Sequence, residues 1–178
     1  MKFIDSARDR WHTVTGEDGP MVTLTPAANR LLTLAQWNGV KHQWPADLPV
    51  GVLFPNDADI EDLAEDLPRL ALVALHFPKW VDGRAYSQAR LLRARYRYAG
   101  EVRATGEVLI DMLPLLQRTG FDAAALRADQ SLDAAERALR FFLGHYQGDV
   151  RDPRPLFARP AGQEYSNAED FVQGGAAI

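Results

Sequence analysis

Residues 50–77 read VGVLFPNDADIEDLAEDLPRLALVALHF, and the fold turns on them. The two ends, VGVLFP and LALVALHF, are short apolar runs, the pattern of strands buried on both faces. Between them Ile60, Leu63, Ala64 and Leu67 recur at helical spacing behind Asn56 or Asp57 as an N-cap, which predicts a helix. Strand, crossover and strand within so short a span make a parallel pair.

The same unit repeats downstream. YSQARLLRARYRY (residues 86–98) predicts a second helix, EVRATG (101–106) a third strand, and VLIDMLPLLQRTG (108–120) a helix that Gly120 ends. FDAAAL is an alanine-rich fourth strand. SLDAAERALRFFLGHY follows as its helix, capped by Ser131, with Leu132, Ala135, Leu139 and Phe142 inward. Tandem βα units predict an α/β domain with a parallel sheet and right-handed crossovers. It is either an open doubly wound sheet or half of a (β/α)8 barrel, the even repeat leaning toward the barrel. Upstream, KFID and MVTLT read as short strands, and PAANRLLTLAQW (26–37) as a helix capped by Thr25. One domain over residues 1–147 is expected, regular from about residue 50, then an extended or disordered tail over 148–178 rich in Pro, Gly and polar residues.

Composition excludes several function classes. The 178 residues contain no cysteine, so disulfides, thiolate-held zinc, protein-ligated iron–sulfur clusters and a thiol nucleophile are out. The cofactor is left unknown, and any redox role has to use an organic cofactor or another subunit's metal. A net charge of −4 argues against bulk nucleic-acid affinity. No apolar run approaches a membrane span, and MKFIDSARDRW turns polar too soon for a signal peptide, so a cytoplasmic location is expected. The four histidines lack metal-ligand spacing, and neither glycine-rich nucleotide fingerprint occurs.

Against that acidic background, residues 76–107 hold Arg84, Arg90, Arg93, Arg95, Arg97 and Arg103. In parallel α/β folds ligands bind beyond the carboxyl ends of the strands, which points to the loops at 55–57, 78–84, 105–107 and 127–129. The second is the richest. Lys79, Gly83 and Arg84, with Tyr86 and Ser87 opening the next helix, make a candidate pocket for sulfite, sulfate or phosphate. Asp82 or Glu107 is the candidate acid/base. Arg90, Arg93 and Arg97 fall on one helical stripe, a candidate partner surface or a solvated face paired with acids such as Glu61. Arg103 lies inside a buried strand and has to meet a carboxylate, with Glu107, Asp82 and Glu101 available, reach solvent at a sheet edge, or face a polar centre such as a ligand.

The polar positions of residues 77–93 (FPKWVDGRAYSQARLLR), 100–111 (GEVRATGEVLID) and 120–122 (GFD) carry a resemblance. They resemble a bacterial domain-of-unknown-function family often labelled "probable oxidoreductase involved in sulfite reduction", over residues 50–145. Ala85, Met112 and Thr119 stand where that family usually has Gly, Gln and Cys, and the last removes any thiol chemistry. The label rests on association with assimilatory sulfite reductase genes, so the resemblance implies a pathway. Three functions follow as expectations. The first is an accessory protein or oxidoreductase of sulfite reduction that binds the reductase or a small anion. The second is an autonomous oxidoreductase or lyase acting on an anionic substrate. The third is a homo-oligomeric scaffold.

Overall fold

The computed structural model describes residues 1–5, 8–14, 24–141 and 145–160. Among them lie β1 (Lys2–Phe3), β2 (His12–Thr13), β3 (Arg30–Thr33), α1 (Leu34–Val40), β4 (Val50–Phe54), β5 (Leu70–Phe77), α2 (Arg84–Ala94), β6 (Glu101–Gly106), α3 (Leu113–Thr119), β7 (Ala123–Ala124) and α4 (Leu132–Phe141). The strands form one sheet in the order β1-β7-β6-β5-β4-β3-β2, and every neighbouring pair is parallel. From β2 to β7 the spatial order is the chain order. Right-handed crossovers that all step one way put their helices on one face. The main core lies on that face and includes Trp37 of α1, Leu92 of α2, Leu116 of α3 and Ala135 of α4. The other face carries a small separate cluster of Trp11, Leu31, Leu72 and Ala74, with no helical residue in it. A doubly wound sheet would have helices on both faces. The sheet instead curls into a half-barrel, helices outside.

Chain length demands the curl independently. β1 and β2 are the two edges of the sheet, and seven flat strands would set them ~30 Å apart. Residues 4–11 join them and could reach only about that far if fully extended. Arg8 N donates to Asp5 O at 3.0 Å, which shortens that reach further. The segment closes only across the mouth of a curved sheet.

Four predicted elements differ from the structure, one of them the helix over 108–120, which is a 3₁₀ turn, Ile110–Met112, followed by α3. The helix over 26–37 is a strand, β3, followed by α1. Leu31 and Leu32 are buried on opposite faces, and Thr33 rather than Thr25 caps the helix. Gln36 N donates to Thr33 Oγ1 at 3.2 Å and Thr33 N to Gln36 Oε1 at 2.8 Å, a reciprocal capping box. The helix between β4 and β5 is two 3₁₀ turns, Ile60–Leu63 and Leu67–Arg69. Asp59, not Asn56 or Asp57, caps the first by accepting from Glu61 N at 3.0 Å. Pro68 cannot continue an α-helix from the first turn into the second. Helix α2 runs over Arg84–Ala94, earlier than 86–98, because the chain turns at Arg97 (φ 51°) and sends Tyr98 back under the sheet. There the Tyr98 hydroxyl donates to Leu70 O at 3.0 Å. Gly100 permits this: a Cβ on it would lie 2.2 Å from that hydroxyl oxygen.

The rest follows the sequence more closely. Gly120, at φ 106°, ends α3 in the left-handed conformation. In α4, Ala135 is buried but Leu132 is exposed, contrary to its expected inward position. Residues 21–23 of MVTLT, Phe142 and residues 161–178 of the tail lie outside the described residues. The tail's nearer part bonds to the domain, Val150 N donating to Arg118 O at 3.3 Å and Leu156 N to Tyr146 O at 2.9 Å.

Candidate functional site

Because the strands are parallel, the loops after β4, β5, β6 and β7 gather at one rim of the half-barrel. After β5, residues 78–83 project outward in a turn in which Asp82 N donates to Lys79 O at 3.0 Å. Its tip is apolar: Trp80 is 55% and Val81 65% exposed, beside the exposed Lys79. Behind the tip, Asp82 is a hub. Its carboxylate accepts from Arg84 Nε at 3.0 Å, from the Arg84 guanidinium at 2.7 Å and from Arg84 N at 3.3 Å. The buried Asn56 amide of the β4 loop faces the same carboxylate. The Arg84 guanidinium above all, with the Arg84 N–H and Asn56, holds the Asp82 carboxyl well below the usual carboxylate range against a smaller opposing effect of burial. A carboxylate held so firmly ionised is a weak proton acceptor at neutral pH.

After β6, Gly106 takes φ 91°, and a Cβ there would lie 2.3 Å from Phe77 O. The tight turn lets Glu107 N donate to that oxygen at 2.8 Å and sets the half-buried Glu107 on the rim. After β7, Arg127 grips Asp129 by two bonds of 2.6 and 2.7 Å. That pairing, more than any other contact, lowers the Asp129 pKa to about 2. The same carboxylate raises the pKa of Arg127, and Glu107 adds a smaller electrostatic push in that direction. Tyr86 sits half-buried behind the rim, its ring 5.2 Å from Phe77 and 6.4 Å from Phe121, and burial raises its hydroxyl pKa. Ser87 is exposed beside it.

The structure thus brings Lys79, Asp82, Gly83, Arg84, Tyr86, Ser87 and Glu107 to one rim and sends the other singled-out arginines elsewhere. Arg103 lies on the concave face, 2% exposed, reaching back toward the amino end of β6. Its Nε donates to Glu101 at 2.8 Å, a second nitrogen lies 2.6 Å from Glu101, and the remainder of the guanidinium holds Asp9. Of the acids available in the sequence, Glu101 is its partner and Glu107 and Asp82 are not. Asp9, distant in sequence, gave no local signal.

Arg93 turns inward rather than joining a surface stripe. Its guanidinium ties the carbonyls of Gly120 (3.0 Å), Gly100 (2.9 Å) and Tyr98 together with the Asp122 carboxylate. Arg90 and Arg97 are exposed, Arg97 beyond the end of the helix, and Arg95 pairs with Glu61. Asn56, also missed from sequence, reads there only as a possible cap. Among the described residues no three His, Asp or Glu side chains converge as a metal site, and no helix is long and apolar enough to cross a membrane.

These features define a class: a singly wound parallel α/β half-barrel with an ion-paired polar rim and an exposed apolar tip beyond its central strand. The chain belongs to the family described as Bacterial protein of unknown function (DUF934), whose profile matches residues 51–157. Among curated proteins none matches it.

Proposed function

We propose that this chain is an accessory protein of assimilatory sulfite reduction that docks the reductase through the rim of its half-barrel. The observation that carries the reading is the Trp80–Val81 tip. Two large apolar side chains stand in water between Lys79 and Asp82, and a tryptophan so placed is the kind of side chain that dominates a protein–protein contact when it enters a pocket. The charges that would clamp a small substrate are engaged within the chain: Arg84 with Asp82, and Arg103 with Glu101 and Asp9. The likeness of residues 77–122 to a family tied to sulfite reduction supplies the pathway.

Surface-immobilised protein exposed to purified assimilatory sulfite reductase at low salt tests the reading. Saturable binding is expected, weakened at least ~10-fold by Trp80→Ala, since a central tryptophan contributes ≥ ~2 kcal/mol, with circular dichroism unchanged. Absence of binding at low salt contradicts it. The enzymatic reading draws support from the exposed Lys79 in the loop that leads into α2. Turnover of sulfite by the isolated chain, lost in Lys79→Ala, would favour it instead.

A further inference from the structure

Residues 8–11 cross the concave face with alternate side chains turned in. Asp9 and Trp11 point to the floor, and Arg8 and Arg10 are exposed, the Arg10 guanidinium lying 5.7 Å from the Trp11 ring. The Asp9 carboxylate sits on Arg103, and the Trp11 indole packs on Leu31, Leu72 and Ala74. The geometry points to a recognition groove for an extended peptide of a partner protein carrying an acidic residue two positions before an aromatic one, held shut by the chain's own Asp9-Arg10-Trp11. This stands apart from the rim, being carried by different residues on a different face.

Closing a core does not require this arrangement. Glu101, from the same strand, already neutralises Arg103. Asp9 brings a second carboxylate to one guanidinium, where the three side chains are 13%, 16% and 2% exposed for Asp9, Glu101 and Arg103. The Trp11 indole N–H is buried with no acceptor among the described residues. An orphaned donor weighs against folding, and apolar side chains of similar volume would close the groove at least as stably. Carboxylate on Arg103 and indole on the apolar floor instead reproduce the two contacts by which a peptide would be read.

The segment is also held mainly by these side chains. Its backbone bonds to the sheet begin only at His12, which donates to Asn29 O at 3.0 Å, while Trp11 N is satisfied within the segment by Asp9 at 3.2 Å. It can lift as a unit while β1 and β2 stay paired with β7 and β3, the kind of sub-global opening that precedes global unfolding.

A fluorescein-labelled peptide with the sequence of residues 5–14 (DSARDRWHTV), titrated against the full chain by anisotropy, tests the proposal. The expected result is binding at least ~10-fold tighter to the Asp9→Asn chain than to wild type, since weakening the internal copy frees the groove. Adding Arg103→Lys, or replacing the peptide's own Asp by Asn, should remove that gain. No binding to a folded Asp9→Asn chain, or binding indifferent to Arg103→Lys, overturns the proposal. Proton exchange in the wild type decides independently, even if the variants fail to fold. The Trp11 amide and indole protons should exchange at least ~100-fold faster than the amides of β5 if the segment opens locally. Equal protection would make it a fixed part of the core and overturn the proposal.

Discussion

Arg103 and Arg93 show why a basic stretch in an acidic chain need not be a basic surface. Each guanidinium spends its donors inside the fold, Arg103 on two carboxylates and Arg93 on three carbonyls and Asp122. Replacing Arg103 by Met leaves Asp9 and Glu101 facing each other unpaired, and a denaturant melt should show a loss of ~3–5 kcal/mol. Arg93→Ala should cost about 2–3 kcal/mol by the same measurement, because it strips partners from several partly buried carbonyls at once. The rim carboxylates predict a pH dependence. Asp82 and Asp129 have folded pKa values below their ordinary 3.8, so their contribution is present above that value and lost as pH falls through it toward the folded values. Thermal stability should therefore be insensitive to these two groups from pH 8 to 5 and decline below about pH 4. Asp129→Asn should make that decline shallower, and an unchanged acid slope would count against the Arg127 grip.

At the scale of elements, the residues that made strands easy to read are those buried on both faces. LALVALHF and EVRATG become β5 and β6 at their predicted bounds, because a sheet with helices outside and a packed concave floor leaves few strand positions for polar side chains. The crossovers were harder. Ile60, Leu63 and Leu67 do face the core, so their spacing was meaningful, but Pro68 and the cap at Asp59 divide the segment into 3₁₀ turns. The Thr33–Gln36 capping box was visible in the sequence as T-x-x-Q. In the sequence, Thr25-Pro26 offers a competing start. Thr33→Ala should lower stability by about 1 kcal/mol in a urea melt, and Thr25→Ala should leave it unchanged.

For the molecule as a whole, the parallel order was legible from the repeat, whose even spacing leans toward the half-barrel without deciding it. That choice depends on β1 and β2 occupying opposite edges of the sheet, a relation between parts of the chain that no local pattern connects. The loops of the candidate rim could be located from the strand ends alone. What those loops carry had to be read in three dimensions: paired carboxylates and guanidiniums around an apolar tip. That tip is the docking surface of the proposed function. Equilibrium binding of wild-type and Trp80→Ala chains to purified assimilatory sulfite reductase at low salt measures it, with circular dichroism as the control for folding. Saturable binding by the wild type and at least ~10-fold weaker binding by a folded Trp80→Ala chain are expected. Equal affinity for the two chains, or no binding by either, would contradict it.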